Sequence, residues 1–142
     1  LKEQIKLLIK EHDMKNVSLY GHKSGKELFD EIKKTMAVVI PSECYENNPR
    51  TVLEAFALGK PVIGARIGGI PELVLDEKTG LSFEAGNADD LREKILYLLR
   101  NTEKIGQMGK NARKFVEENF NPELHYRSLI KIYEEAKKKR LS

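Results

Sequence analysis

The sequence predicts an α/β fold, a mostly parallel sheet of about four strands with helices on both faces. Three observations carry that expectation. Short apolar runs alternate with longer stretches of helical periodicity. Two of those runs, Ala37–Pro41 (AVVIP) and Pro61–Ala65 (PVIGA), lack in–out alternation, as strands buried on both faces do. The 142 residues, 40% of them hydrophobic, suit one domain with a real core.

Each element has its own signal. Leu1, Ile5, Leu8, Ile9 and His12 share one face of a first helix, which no cap, strand or turn precedes. Asn16–Gly21 (NVSLYG) reads as a short strand ending at a glycine. Ser24 and Glu27 have capping-box spacing and open a helix carrying Leu28, Ile32 and Met36. After AVVIP, a loop with Tyr45, Glu46, Asn47 and Asn48 leads to Pro49, which starts a helix that Gly59 stops. PVIGA follows, then a tight turn at Gly68-Gly69 and a short helix from Pro71 through Leu75. Gly80–Glu84 (GLSFE) is the last strand. The remainder is helical, as Asp89–Arg100, Glu103–Glu118 and Pro122–Lys139, the last capped by Asn121.

Composition removes several classes of function. The net charge of +3 is small and dispersed, so no nucleic-acid partner is expected. Much of it sits in Lys137, Lys138, Lys139 and Arg140, where cations suit a helix C-terminus. No apolar run approaches the ~18 residues that span a bilayer. Leu1–Asp13 is charged throughout, unlike a secretory leader. A single cysteine, Cys44, excludes an intramolecular disulfide and suits a reducing compartment. The expected location is cytoplasmic, with peripheral membrane attachment left open for a longer protein. His12, His22 and His125 have no metal-like spacing with one another or with Cys44, so no metal is assigned. Asp89-Asp90 reads as an acidic helix start and Lys60 as a helix C-terminal cation.

Chemistry concentrates in Pro41–Pro61, PSECYENNPRTVLEAFALGKP. Open α/β sheets bind ligands beyond the carboxyl ends of their strands, which singles out the loops after Gly21, Pro41 and Ala65. Asn48 is a good cap, and Pro49 at the first helical position has no N–H to lose. The next N–H groups, at Arg50 and Thr51, have no intrahelical partner and carry the positive end of the helix dipole. That makes a ready phosphate or diphosphate site, to which Arg50 adds charge. The helix body, Val52, Leu53, Ala55, Phe56, Ala57 and Leu58, is apolar nearly all round, with Glu54 its one acid. Glu46 lies eight residues earlier. Carboxylates accept several O–H bonds at once and so suit sugar hydroxyls. The residues leave another reading equally open: Glu54 paired with Arg50 four residues earlier, and Glu46 a solvated loop acid.

VIPSECYENNP, the pair Glu46 and Glu54, LEAFALGKPVIG and GGIPELV together resemble the C-terminal domain of family 4 retaining glycosyltransferases of the GT-B fold. GLSFEAGNADDLREKILYLL and the helix after FNPE match less specifically. The resemblance implies a Rossmann-like, partial GT-B domain occupying residues 1–142. It implies a nucleotide-diphosphate sugar as donor, no cofactor, and retaining transfer to an acceptor glycan or lipid. Glu46, as the catalytic-site carboxylate, binds donor-sugar hydroxyls. N–H groups around Asn48, Pro49, Arg50 and Thr51 hold the diphosphate, and Glu54 binds the ribose. His22 and Lys23 lie near the base, and Gly68-Gly69 faces the cleft between domains. Cys44 stands where an aromatic residue is common, while Tyr45 is kept.

The resemblance also implies that an N-terminal domain and two strand–helix units would precede this chain. Their absence leaves Ala37–Pro41 with an open edge. The first expectation is that Asn16–Gly21 pairs there, giving a four-stranded parallel sheet in chain order. Edge-to-edge association of two chains is the second. The rival functions are a non-catalytic nucleotide-binding module, a sugar-nucleotide epimerase of the same fold, and an unrelated flavodoxin-like domain.

Overall fold

The structure, a computed structural model, describes residues 2–141, so the expected place of Leu1 on the first helix lies outside the described residues. In chain order the elements are α1 (Lys2–Glu11), α2 (Gly25–Lys34), β1 (Val38–Ile40), α3 (Arg50–Ala57), β2 (Val62–Ala65), α4 (Ile70–Leu73), β3 (Gly80–Phe83), α5 (Ala88–Arg100), α6 (Thr102–Asn119) and α7 (Pro122–Leu141). The strands form one parallel sheet in the order β1-β2-β3. Val38 pairs with Val62, and Val62 in turn with Gly80. Among the described residues, no helix is long and apolar enough to cross a membrane.

The pleat of β2 divides the core in two, because successive side chains point to opposite faces. Val62 faces a cluster with Ile40, Val52, Ala55, Phe56 and Ile70. Ile63 and Ala65 face the other, with Leu81, Phe83, Leu98 and Met108. Helix α3 fills the first side, α5 the second, and α6 contributes to both through Ala112 and Met108. Phe56 is fully buried and meets Phe115 edge-to-face at 6.2 Å, the geometry aromatic quadrupoles favour. That two-sided burial fits the unbroken apolar run of β2, whose four residues are all buried. It does not extend to β1, where Val39 is 39% exposed and only Ile40 is buried, because β1 lies at the edge of the described sheet.

The expected fourth strand does not form. Asn16–Gly21 is irregular, and Val17, Leu19 and Tyr20 are exposed. The described sheet has three strands with β1 at its edge. The energetics explain this. Adding the segment would order six backbones at ~1–2 kcal/mol each. A three-residue β1 offers only a short ladder in return, with each bond worth ~1 kcal/mol net.

Helix ends follow local chemistry, with two revisions. Gly59, at φ +68°, stops α3 as expected. Its N–H reaches the Phe56 carbonyl at 2.9 Å and the Lys60 N–H reaches that of Ala55 at 2.9 Å, a Schellman closure. Lys60 does not serve α3, since its Nζ donates to the Thr35 carbonyl at the end of α2, at 2.7 Å. The carbonyl of Ala57 is taken instead by Arg113 of α6. Ser24 takes the N-cap position of α2 without a side-chain cap bond. Asn121 does cap α7, accepting the Glu123 N–H at 2.8 Å.

Candidate functional site

The three loops leaving the carboxyl ends of the strands, 41–49, 66–69 and 84–87, meet on one edge of the sheet. The first leads into α3, which begins one residue later than the sequence suggests. Pro49, at φ −70° and ψ 98°, is the N-cap, and no side chain caps the helix. Asn48 therefore lies one position before the cap. The reason is packing: the Pro49 ring is buried, and its carbonyl closes the first turn by accepting the Val52 N–H at 3.0 Å. The Arg50 and Thr51 N–H groups have no hydrogen-bond partner among the described residues, and both residues are exposed. With the helix dipole behind them, they leave an open end of the kind that suits an anion.

Two carboxylates flank that end along the chain, Glu46 before it and Glu54 after it. Glu54, 28% exposed, sits one turn into α3. Arg50 pairs with it at 3.8 Å, but the arginine side chain is 88% exposed. Such a pair is loose and screened, and it leaves Glu54 acceptor sites for a ligand. Glu46 is exposed and is oriented by Ser42, whose Oγ donates to its Oε1 at 2.9 Å. Its own carbonyl accepts the Gly69 N–H at 2.7 Å. Ser42 is not singled out by the sequence, although it stands four residues before Glu46 and just past β1. Cys44 is an exposed free thiol in the same loop.

The neighbouring groups do structural work. Asp90 accepts the Glu84 N–H at 2.7 Å, and Lys94 and Arg66 stand at 3.5 and 3.4 Å. The Glu84 N–H first, then the cations, hold its carboxyl below the usual range. That fits the acidic helix start expected of Asp89-Asp90, with Asn87 as the cap. A shallow pocket of about 140 Å³ opens between the loops after β1 and β3, lined by Pro41, Glu43, Phe83 and Asn87 among others. His22 and Lys23 share no hydrogen bond or ion pair with residues 42–54. Lys23 pairs with Glu27, which raises its pKa, and lies 5.6 Å from the Tyr20 ring centroid. The structure thus gathers Arg50, Thr51 and Glu54 in the first turns of α3, keeps Glu46 in the loop that leads into it, and leaves His22 and Lys23 beside α2.

A three-stranded parallel sheet flanked by helices, with its loops gathered at the carboxyl edge, matches part of the fold of GT-B glycosyltransferases. The chain belongs to the family of glycosyl transferases group 1, which it matches over residues 1–115. It is 34% identical over 135 residues to an uncharacterized glycosyltransferase, MJ1178, of Methanocaldococcus jannaschii, covering 95% of this chain and 38% of that protein. A sucrose-phosphate synthase from Thermosynechococcus elongatus superposes with a TM-score of 0.81 at 27% identity, over 94% of this chain and 34% of the other. Anabaena Alr3699/HepE in complex with UDP has the same fold, with a TM-score of 0.85 at 22% identity, over 94% and 36% of the two chains. The chain spans little more than a third of these proteins.

Proposed function

We propose that this chain is the donor-binding part of an enzyme that moves a glycosyl group from a nucleotide-diphosphate sugar to an acceptor, with retention. The observation that carries this reading is the open N-terminus of α3, where the Arg50 and Thr51 N–H groups are free and two carboxylates with spare acceptor sites, Glu46 and Glu54, flank them along the chain. On this reading the diphosphate binds the helix end and Arg50. Charge develops there as the glycosidic bond to phosphate breaks, and fixed N–H dipoles stabilise the leaving group. Glu46 grips the sugar hydroxyls, Glu54 the ribose, and the 22–23 segment lies toward the base. The acceptor, a glycan or a lipid, comes from outside these residues. The complex of HepE with UDP supports the choice of ligand class. The exposed thiol of Cys44 supports a reducing, cytoplasmic setting.

The test is glycosyl transfer by a longer protein that contains this chain, offered UDP-, GDP-, ADP- and dTDP-sugars with a mixed acceptor pool. Transfer that retains anomeric configuration is expected, and it should weaken in both Glu46→Ala and Glu54→Ala. Full activity in both variants would sink the assignment. The 142-residue chain alone is expected to bind without transferring, so turnover by it would show the site to be complete here.

A further inference from the structure

We propose that the Gly68-Gly69 turn is a positioning element for Glu46: its bare backbone forms the seat on which the 45–47 loop rests. This rests on the donor-site reading of Glu46 given above. The Gly69 N–H donates to the Glu46 carbonyl at 2.7 Å. A Cβ on Gly69 would lie 2.2 Å from the Asn47 carbonyl oxygen. One on Gly68 would lie 2.5 Å from the Glu46 carbonyl oxygen and 2.7 Å from its nitrogen. These obstacles are backbone atoms, so no rotamer change relieves them. Gly68 also needs glycine for its φ of +56°. Gly69 has an ordinary φ of −81° and is restricted by contact alone.

The seat is anchored in the core and the loop it carries is exposed. Ile70, next to the turn, is fully buried, and its Cγ2 packs so close to Gly64 of β2 that a Cβ there would meet it at 2.6 Å. Residues 45–48 are exposed, with Tyr45 at 88%. Position thus passes from β2 through Ile70 and Gly69 to the Glu46 backbone, and the Ser42 hydroxyl then sets the carboxylate. Relieving a methyl group at residue 69 moves the loop by about 1 Å, a displacement that costs positioned groups ~10²-fold in rate.

Gly109 supplies the matched control. A Cβ there would also lie 2.2 Å from a carbonyl oxygen, that of Gly59, at the contact between α3 and α6. Gly69→Ala and Gly109→Ala are made in a longer protein containing this chain, beside Glu46→Ala. Three quantities are measured: thermal stability, amide exchange of peptides spanning residues 42–48, and kcat/KM with the UDP-, GDP-, ADP- or dTDP-sugar the unaltered protein uses best. Both glycine variants are expected to lose similar stability. Only Gly69→Ala should quicken exchange in 42–48 and lower kcat/KM by ~10²-fold. If Glu46→Ala impairs transfer while Gly69→Ala behaves as Gly109→Ala does, the positioning role is overturned and the donor site stands. If Glu46→Ala transfers fully, or no donor is used, the donor-site reading falls and this inference with it. Should Gly69→Ala fail to fold, the unaltered protein decides: a protected Gly69 amide supports the seat and a freely exchanging one overturns it.

Discussion

The segment from Val38 to Val116 holds nearly all of the core, whereas of the described residues on either side of it only Ile32 is buried. Helix α3 has eight residues, of which Val52, Ala55 and Phe56 are at 0% exposure. Helix α7 has twenty, and its Leu124, Leu129, Ile130, Ile132 and Tyr133 are all exposed. Helix α1 buries none of its residues. Apolar content is therefore not what separates the regions. What separates them is a sheet face to pack against, which α3 has on β1 and β2. Glu46, Glu54, Ser42 and the Gly68-Gly69 turn all belong to the packed body, whereas His22 and Lys23 belong to the N-terminal flank.

The largest effect should come from opening the body. Phe56→Ala removes a ring packed against Phe115 in the first core cluster and should cost ~3–5 kcal/mol in a denaturant melt. Leu129→Ala on α7 should stay within ~0.5 kcal/mol. Equal losses would erase the distinction between the regions. Glu54→Ala sharpens it in another way. In the longer protein it should weaken donor binding, measured by calorimetry, by ~1.5–3 kcal/mol. Stability should change by less than ~1 kcal/mol, because the Arg50 partner is exposed. Smaller again is the effect of deleting residues 122–142, expected to lower the unfolding free energy of the remaining chain by less than ~1 kcal/mol. A large drop in the denaturation midpoint would show that α7 supports the body after all.

The smallest effect is electrostatic. Lys104 first, and the Tyr97 hydroxyl second, hold the Glu77 carboxyl below its usual range, and the Glu84 N–H does the same for Asp90. A carboxyl depressed in the folded state contributes stability above its unfolded pKa and loses it as pH falls through the folded value. Stability should therefore decline as acid takes the chain below the ordinary carboxylate values of 4.5 and 3.8. Glu77→Gln and Asp90→Asn should each flatten that decline in melts across pH. An unchanged slope would mean that these contacts do not persist in solution.

Local signals made most of the body legible. The unbroken runs AVVIP and PVIGA marked β1 and β2, and the proline and glycine that bracket α3 placed the helix within a residue. What failed was whatever depends on a distant partner. NVSLYG alternates well enough for a strand, but a strand exists only with a neighbour. Asn48 has a cap's chemistry, but the burial of the Pro49 ring decided the boundary. The place of Lys60 in the chain points to α3, yet its side chain reaches the end of α2. The approach of Gly69 to Asn47 joins residues that nothing in the local pattern connects. The residues around the open end of α3 were legible because they lie within nine consecutive positions, from Glu46 to Glu54.

The exposed thiol of Cys44 has a practical consequence. It is the one cysteine of the chain and it stands two residues before Glu46. A maleimide dye added to the unmodified 142-residue chain will couple there without any prior cysteine removal, placing a fluorophore in the loop that carries Glu46, the carboxylate proposed to bind the donor sugar. Emission and anisotropy can then report that loop during a titration with nucleotide. The chain thus carries its own optical reporter, encoded at the position where a reporter is most informative.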